Sequence, residues 1–273
     1  MKERIFKNRM KGRIFKNKDG KRRRGVHLIP NILTTGNLIS GLAAVVFVFH
    51  GKFEPAAIAI LIAMIFDVLV GTSARLTDST SEFGVEYDSL SDLISFGVAP
   101  GFLIYAWALE SPGMLGAAVM FAYVACGALR LARFNAMGSS GDNGFFTGLP
   151  IPAAAGFIST FYIFDKHIVQ LSELVLPYVV IVLCLLMSFL MVSTVKYRSA
   201  KQLKFQGHHH FMYLVWAVLI LVSVMAYPQF MLFVICLGYA VSGLLEQSWS
   251  LMRAQGRRES MASMSSTFPD SKE

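Results

Sequence analysis

Charge is scarce in this chain: only 15% of its 273 residues are Asp, Glu, Lys or Arg, while 55% are hydrophobic and the mean hydropathy is +0.55. Too few polar side chains remain to cover a soluble globule, so the composition points to a membrane. Cysteine is scarcer still. Cys126, Cys184 and Cys236 each stand alone in an apolar run, which gives neither a disulfide framework nor a CxxC metal or redox pair. No long internal repeat suggests a second folded domain. Arg-Ile-Phe-Lys-Asn occurs at 4–8 and again at 13–17, but nine residues turn a helix through about 900° and put the copies on opposite faces, so it reads as a local duplication. The triplet His208-His209-His210 sits at a loop-to-helix border, and adjacent side chains that point in different directions make a poor metal set.

What charge there is lies unevenly. The net charge is +8, yet residues 2–24 hold twelve Lys and Arg against two acids, a net of +10 that leaves −2 for the rest. Joined to a membrane span, such a tail reads as a segment lying on anionic lipid rather than on nucleic acid. A helix needs about 20 mostly apolar residues to cross a bilayer. Eight stretches approach that size, at 31–49, 54–75, 87–109, 112–133, 150–165, 173–195, 211–226 and 229–249. The loops expected on the side of the two tails hold Arg75, Arg130, Arg133, Lys196, Arg198, Lys201 and Lys204, and the opposite loops only Lys52 and Lys166. By the positive-inside rule both termini are expected in the cytoplasm. The basic region is too long for a cleavable signal, and Pro30-Asn31 opens a full-length span. The expected architecture is an all-α, polytopic bundle of about eight transmembrane helices in the cell's inner, cytoplasmic membrane. Residues 1–26 form a basic tail, 27–249 the membrane domain, and 250–273, rich in Ser and Met, a disordered tail.

Against this background the acids inside the apolar stretches stand out, because a carboxylate within a membrane helix costs a few kcal/mol and marks a functional site by default. Asp67 follows Ile-Ala-Ile-Leu-Ile-Ala-Met-Ile-Phe near the end of the second stretch, with Gly71 and Ala74 four and seven residues on along the same face. Two small residues beside a carboxylate make a groove. Asp88 and Asp92, four apart, stack on one face of the third stretch about 6 Å from each other. Gly84 is expected in the connection, where the chain turns back and brings Asp67 towards them. Clustered carboxylates repel unless neutralised, and hard oxygen ligands of this kind suit Mg²⁺ or Mn²⁺. Asp78, Glu82 and Glu86 read as solvated loop or cap residues.

The spacing resembles the signature of the CDP-alcohol phosphotransferases, D-x2-D-G-x2-A-R-x8-G-x3-D-x3-D, at Asp67, Gly71, Ala74, Arg75, Gly84, Asp88 and Asp92. It departs at the second acid, where this chain has Val70. Four more segments are similar to the phosphatidylserine synthase branch: His-Leu-Ile-Pro-Asn-Ile-Leu-Thr-Thr-Gly-Asn-Leu from 27, Tyr-Asp-Ser-Leu-Ser-Asp-Leu-Ile-Ser-Phe-Gly-Val-Ala-Pro from 87, Arg-Leu-Ala-Arg-Phe-Asn at 130–135 and Phe-Thr-Gly-Leu-Pro-Ile-Pro-Ala-Ala-Ala-Gly at 146–156. The likeness runs from about residue 27 to about 160.

The resemblance implies attack of the L-serine hydroxyl on the phosphorus of CDP-diacylglycerol that bears the diacylglycerol, giving phosphatidylserine and CMP in a homodimeric membrane enzyme. It implies a two-metal site, with Asp67 and Asp88 as ligands and Asp92 as general base that also touches a metal. Asn31, Thr34, Gly71, Ala74, Arg75 and Gly84 correspond to positions near the nucleotide. A donor with a diacyl tail and a charged head suits a site at the cytoplasmic membrane border. Arg130 and Arg133, three apart on one helical face, suit a phosphate or the serine carboxylate, or serve as positive-inside anchors; Asn135 is a weaker candidate. Val70 removes a ligand, and Thr72 and Ser73 face elsewhere. An enzyme with damaged metal binding is therefore expected, beside the alternatives of another acceptor (glycerol phosphate, inositol phosphate, choline) or an inactive scaffold. A transporter also explains intramembrane acids, but transporters of many folds pair internal repeats, whereas here the acids concentrate at one helix-turn-helix.

Overall fold

The computed structural model describes residues 28–77, 81–137, 145–198 and 227–243, together with six positions between 212 and 226. The tails expected at 1–26 and 250–273, Asp78 and the His208–His210 triplet lie outside the described residues. So does most of the span expected at 211–226.

Helix α1, Leu28–Phe49, opens with Pro30 in its first turn, where a missing N–H is tolerated. Its buried residues, Pro30, Thr34, Asn37, Gly41, Ala44 and Val48, recur at alternating steps of four and three. Ile32, Ile39, Leu42 and Val46 face outward. Helix α2, Phe53–Thr77, repeats the scheme with Ala56, Ala57, Ala59, Ile60 and Ala63 inside and Ile58, Ile62, Ile65 and Val68 outside. Small residues inside and large apolar ones outside is the arrangement of helices that pack closely against each other in lipid. α1 and α2 accordingly pair along much of their length.

Helix α3, Glu82–Leu109, is the most buried of the long apolar helices and touches each of the other five that precede residue 193. Ser81 caps its start, its hydroxyl accepting a hydrogen bond from Gly84 N at 3.0 Å. That cap begins the helix five residues before the expected span and places Gly84 in the first turn rather than in the connection. Two π-helical stretches interrupt it, Leu93–Val98 and Tyr105–Leu109. Pro100 follows the first and has no N–H to offer the Phe96 carbonyl four residues before it. The Tyr123 hydroxyl donates to that carbonyl instead, at 3.0 Å, from a fully buried ring.

Helices α4 (Met114–Met137), α5 (Ile151–Phe164), α6 (Leu176–Val192) and α7 (Pro228–Gly243) complete the described bundle. α4 runs beside α6, and α5 beside α2. By length and composition α1 to α4 can each cross a membrane, and α6 and α7 are shorter apolar helices. Among the described residues, the strands are a ribbon of two three-residue segments, β1 (Phe145–Thr147) and β2 (Lys196–Arg198), paired antiparallel with Phe146 opposite Tyr197. It ties the α4–α5 connection to the segment after α6.

Replacing the Tyr123 hydroxyl strands a buried carbonyl, at a cost of about 1–3 kcal/mol. Tyr123→Phe is expected to lower the unfolding midpoint in detergent; an unchanged midpoint would show that the Phe96 carbonyl finds another donor.

Candidate active site

α1 and α3 meet along a polar seam. Thr34 Oγ1 lies 3.5 Å from Asp88 Oδ1 while donating to Pro30 O at 3.1 Å. Thr35 Oγ1 is 3.0 Å from the Tyr87 hydroxyl, Asn37 Nδ2 donates to Asp92 Oδ1 at 2.9 Å, and Ser95 Oγ donates to Asn37 O at 3.0 Å. The residues joined differ by 52 to 58 along the chain, both partners advancing together, so the two helices run parallel. Gly41 permits the crossing, because a Cβ there would overlap Ser95. The antiparallel α2 returns between them and delivers Asp67 to the same end of the bundle.

Asp67, Asp88 and Asp92 each offer a carboxylate oxygen, and the three oxygens lie within 4.8 Å of one another. Asp92 is buried and the other two half-buried. Oxygens ligating one divalent cation at 2.0–2.6 Å span up to about 4–5 Å, so this set fits a single shared cation. Val70 is buried on the same helix as Asp67 and offers only hydrocarbon where the pattern has a fourth acid. Of the neighbouring hydroxyls, Thr72 Oγ1 donates to Val68 O at 2.8 Å and Ser73 Oγ to Val70 O at 3.0 Å.

The other expected residues divide. A Cβ on Gly71 would meet nothing within 4 Å, so the space beside that glycine, one turn from Asp67, is open. Ala74 is half-buried one turn on, and Arg75 lies in the last turn of α2. A Cβ on Gly84 would stand 3.0 Å from Ser81 Oγ and 3.4 Å from Asn31 Oδ1, so glycine serves close approach to α1. Arg130 is buried on α4. Arg133 is directed elsewhere. Its Nη1 donates to Val192 O at 2.9 Å, and its Nη2 to Ser193 O at 3.3 Å and Met191 O at 3.5 Å, which caps the C-terminus of α6. Asn135 donates to Ser89 Oγ at 3.0 Å and to Glu86 Oε2 at 3.4 Å, linking α4 to an outer face of α3. Glu86 is thus exposed, as expected of a solvated acid, and carries this one link.

Sequence reasoning missed Asn37, Tyr87 and Ser95. A signal existed for Asn37: an amide three residues after Thr34, on one face of an apolar helix, is as conspicuous as a carboxylate.

A multi-span helical bundle whose central helix contributes two of three clustered carboxylates is a membrane protein with an oxygen-ligand site suited to a divalent metal. The family model described as CDP-alcohol phosphatidyltransferase matches residues 27–195, from α1 through the end of α6, and the chain belongs to that family. It is 36% identical over 183 residues to a CDP-diacylglycerol–serine O-phosphatidyltransferase of Helicobacter pylori, covering 66% of this chain and 75% of the relative. A protein of the same name from Methanocaldococcus jannaschii is 35% identical over 224 residues, covering 82% and 96%. An archaetidylserine synthase of Methanothermobacter thermautotrophicus is 40% identical over 171 residues, covering 62% and 69%.

The cap formed by Arg133 holds charge-assisted bonds of about 1.5–3 kcal/mol each at most. Arg133→Gln is expected to lower the unfolding midpoint while leaving the Michaelis constants of the remaining folded protein near wild type. A raised constant for either substrate at unchanged stability would return Arg133 to the ligand-binding set.

Proposed function

We propose that this chain transfers the phosphatidyl group of CDP-diacylglycerol to the hydroxyl of L-serine, giving phosphatidylserine and CMP. The observation that carries the reading is the meeting of Asp67, Asp88 and Asp92 within 4.8 Å, with open space at Gly71 one turn from Asp67. Family membership and the names of the relatives support serine as acceptor. In this scheme Asp92, held by Asn37, accepts the hydroxyl proton as the serine oxygen bonds to the phosphorus that carries the diacylglycerol. The bond from that phosphorus to the bridging oxygen breaks, and the electron pair leaves with CMP. A bound Mg²⁺ or Mn²⁺, held by Asp67, Asp88 and Asp92, would offset the charge that builds on the pyrophosphate and the leaving oxygen. The family pattern assigns Asn31, Thr34, Gly71, Ala74, Arg75 and Gly84 to the nucleotide, and Arg130 is the candidate arginine for the acceptor or a phosphate.

The same reading sets the protein in the cytoplasmic membrane as a homodimer with eight spans, both termini and the site facing the cytoplasm. Loop charge supports the orientation, hydropathy the number of spans, and the family the dimer. Val70 favours a second reading, a scaffold that keeps the fold and binds CDP-diacylglycerol without turnover.

CMP release from CDP-diacylglycerol and serine, titrated with Mn²⁺, separates these. Val70→Asp is expected to raise release at limiting metal by at least about tenfold, the scale on which even outer partners of a metal site act. Wild type matching Val70→Asp throughout the titration would remove the damaged-metal reading. Silence from both, with the Asp92 carboxylate intact and CDP-diacylglycerol still raising the unfolding midpoint, would favour the scaffold. In an active background, Asp92→Asn is expected to lower the rate by about 10²–10⁴-fold. A loss under tenfold would remove Asp92 as the base.

A further inference from the structure

A cavity of about 300 Å³ opens between α2, α5 and α7, at the lower end of the range for ligand pockets. It lies far from the acids: Glu54 on its rim precedes Asp67 by thirteen residues of the same helix, or about 20 Å. Glu54, Ile58 and Leu61 line it from α2, and Thr160, Ile163 and His167 from α5 and the π-helical turn Asp165–Val169 that extends it. Steps of four and three keep each set on one helical face. α2 and α5 run antiparallel, since Glu54 meets His167 at one end and Met64 meets Gly156 further along. Polarity is therefore graded, from Glu54 and His167 at the rim to Leu61 and Ile163 within. Thr160 spends its hydroxyl on Gly156 O at 2.7 Å, so the inner wall is hydrocarbon. α7 supplies the third wall through Gln229 and Leu232, stacked on α5 with the Phe233 and Phe164 rings 4.5 Å apart. That wall lies beyond residue 195, where the family match ends. The rim carries paired charges: Glu54 Oε2 is 3.2 Å from Lys166 Nζ, and Glu54 Oε1 is 3.1 Å from His167 Nε2. All three side chains stay between one third and one half exposed, so each can still meet a ligand.

We propose that this cavity takes one acyl chain of a zwitterionic phospholipid, whose ammonium meets Glu54 and whose phosphate meets Lys166 and His167. The volume suits a single chain rather than two. An empty hydrocarbon pocket forfeits the dispersion contacts of its lining, and a chain entering beside the half-exposed Ile58 restores them. Charge selects the head group. The rim sets an acid beside a lysine, and a head group with an ammonium and a phosphate satisfies both. A purely anionic head group finds the lysine but meets Glu54 as a like charge, which counts against it. Lys166 has three donors and Glu54 two lone pairs on each oxygen, so the ion pair need not break to admit the lipid. The bound molecule is not the phosphatidyl donor, whose phosphorus sits at the acids some 20 Å away along α2. It is a separate lipid wedged between the family core and α7. The site is independent of the serine reading given above.

The test uses the full chain in detergent micelles with a trace of radiolabelled dioleoylphosphatidylethanolamine, and reads the label that stays with the protein through gel filtration. Unlabelled phosphatidylethanolamine is expected to displace the label at about two- to fivefold lower concentration than phosphatidylglycerol, the range of a partly exposed charge pair. Phosphoethanolamine, a head group without chains, should leave the label in place, and CDP-diacylglycerol should displace it no better than phosphatidylglycerol does. Leu232→Trp, which fills the inner wall, should cut retention by about tenfold, with Leu232→Phe standing in if the tryptophan variant does not fold. Glu54→Gln should keep the label bound but erase the preference over phosphatidylglycerol, a ratio that a merely structural role leaves unmoved. Absence of retained label in wild type, or retention unchanged in both Leu232 variants, overturns the site. So does equal displacement by phosphatidylglycerol and phosphatidylethanolamine in wild type, displacement by phosphoethanolamine, or an unchanged preference in Glu54→Gln. Displacement by CDP-diacylglycerol at the concentration of phosphatidylethanolamine would assign the cavity to the donor and overturn it too. None of these results bears on the serine reading, which CMP release decides.

Discussion

Everything that makes this bundle more than a set of apolar rods depends on the parallel contact between α1 and α3. In lipid, apolar surface gives helices no reason to choose one neighbour over another, because lipid tails are as apolar as leucine. Polar groups do choose. Thr34, Thr35 and Asn37 on α1 meet Asp88, Tyr87 and Asp92 on α3, and Ser95 closes the lower end on the Asn37 carbonyl. Slipping either helix by one residue would turn these groups into hydrocarbon, so the seam fixes register as well as partner. Gly41 sets the separation, since any side chain there would strike Ser95 and pull the upper pairs apart.

The seam also accounts for the position of the acids. α3 is central, so its side chains are the ones that every neighbouring helix can address: α2 brings Asp67 and α1 brings Asn37. The π-helical stretch directly after Asp92 belongs to the same design. It turns the apolar lower half of α3 relative to the acidic upper half, and π-bulges of this kind gather at functional sites. Pro100 and Tyr123 together stabilise the altered turn, the proline by withholding a donor and the tyrosine by supplying one from α4.

The membrane class, the four long apolar helices up to residue 137 and the acid cluster were legible in the sequence, because each rests on a local signal: hydropathy over twenty residues, or carboxylates at fixed helical offsets. What was not legible depends on the partner across a contact. Arg130 and Arg133 are equivalent as letters three apart, yet the first is buried and the second binds the carbonyls that end α6. Gly84 was assigned to a turn by its freedom of φ, whereas it lies in a helix because Ser81 caps there and Asn31 comes close. The β1–β2 ribbon joins segments about fifty residues apart, and neither three-residue strand has a pattern of its own. Asn37 is the instructive case: its position was visible, but an amide carries no formal charge and was passed over in favour of carboxylates.

Val70 then has a physical meaning beyond a missing ligand. Two carboxylates whose oxygens lie within 4.8 Å of each other repel by roughly 3 kcal/mol or more at an effective dielectric of 20. Three acids make three such pairs, which a bound cation must offset for all to stay ionised. A fourth acid at position 70 would add up to three more pairs, a burden that only a second cation could neutralise. Valine removes the extra ligand and the extra repulsion together, so the site that remains is matched to fewer positive charges than the full four-acid pattern. Metal dependence and metal-free stability are for that reason coupled at this one position, and a change there moves them in opposite directions.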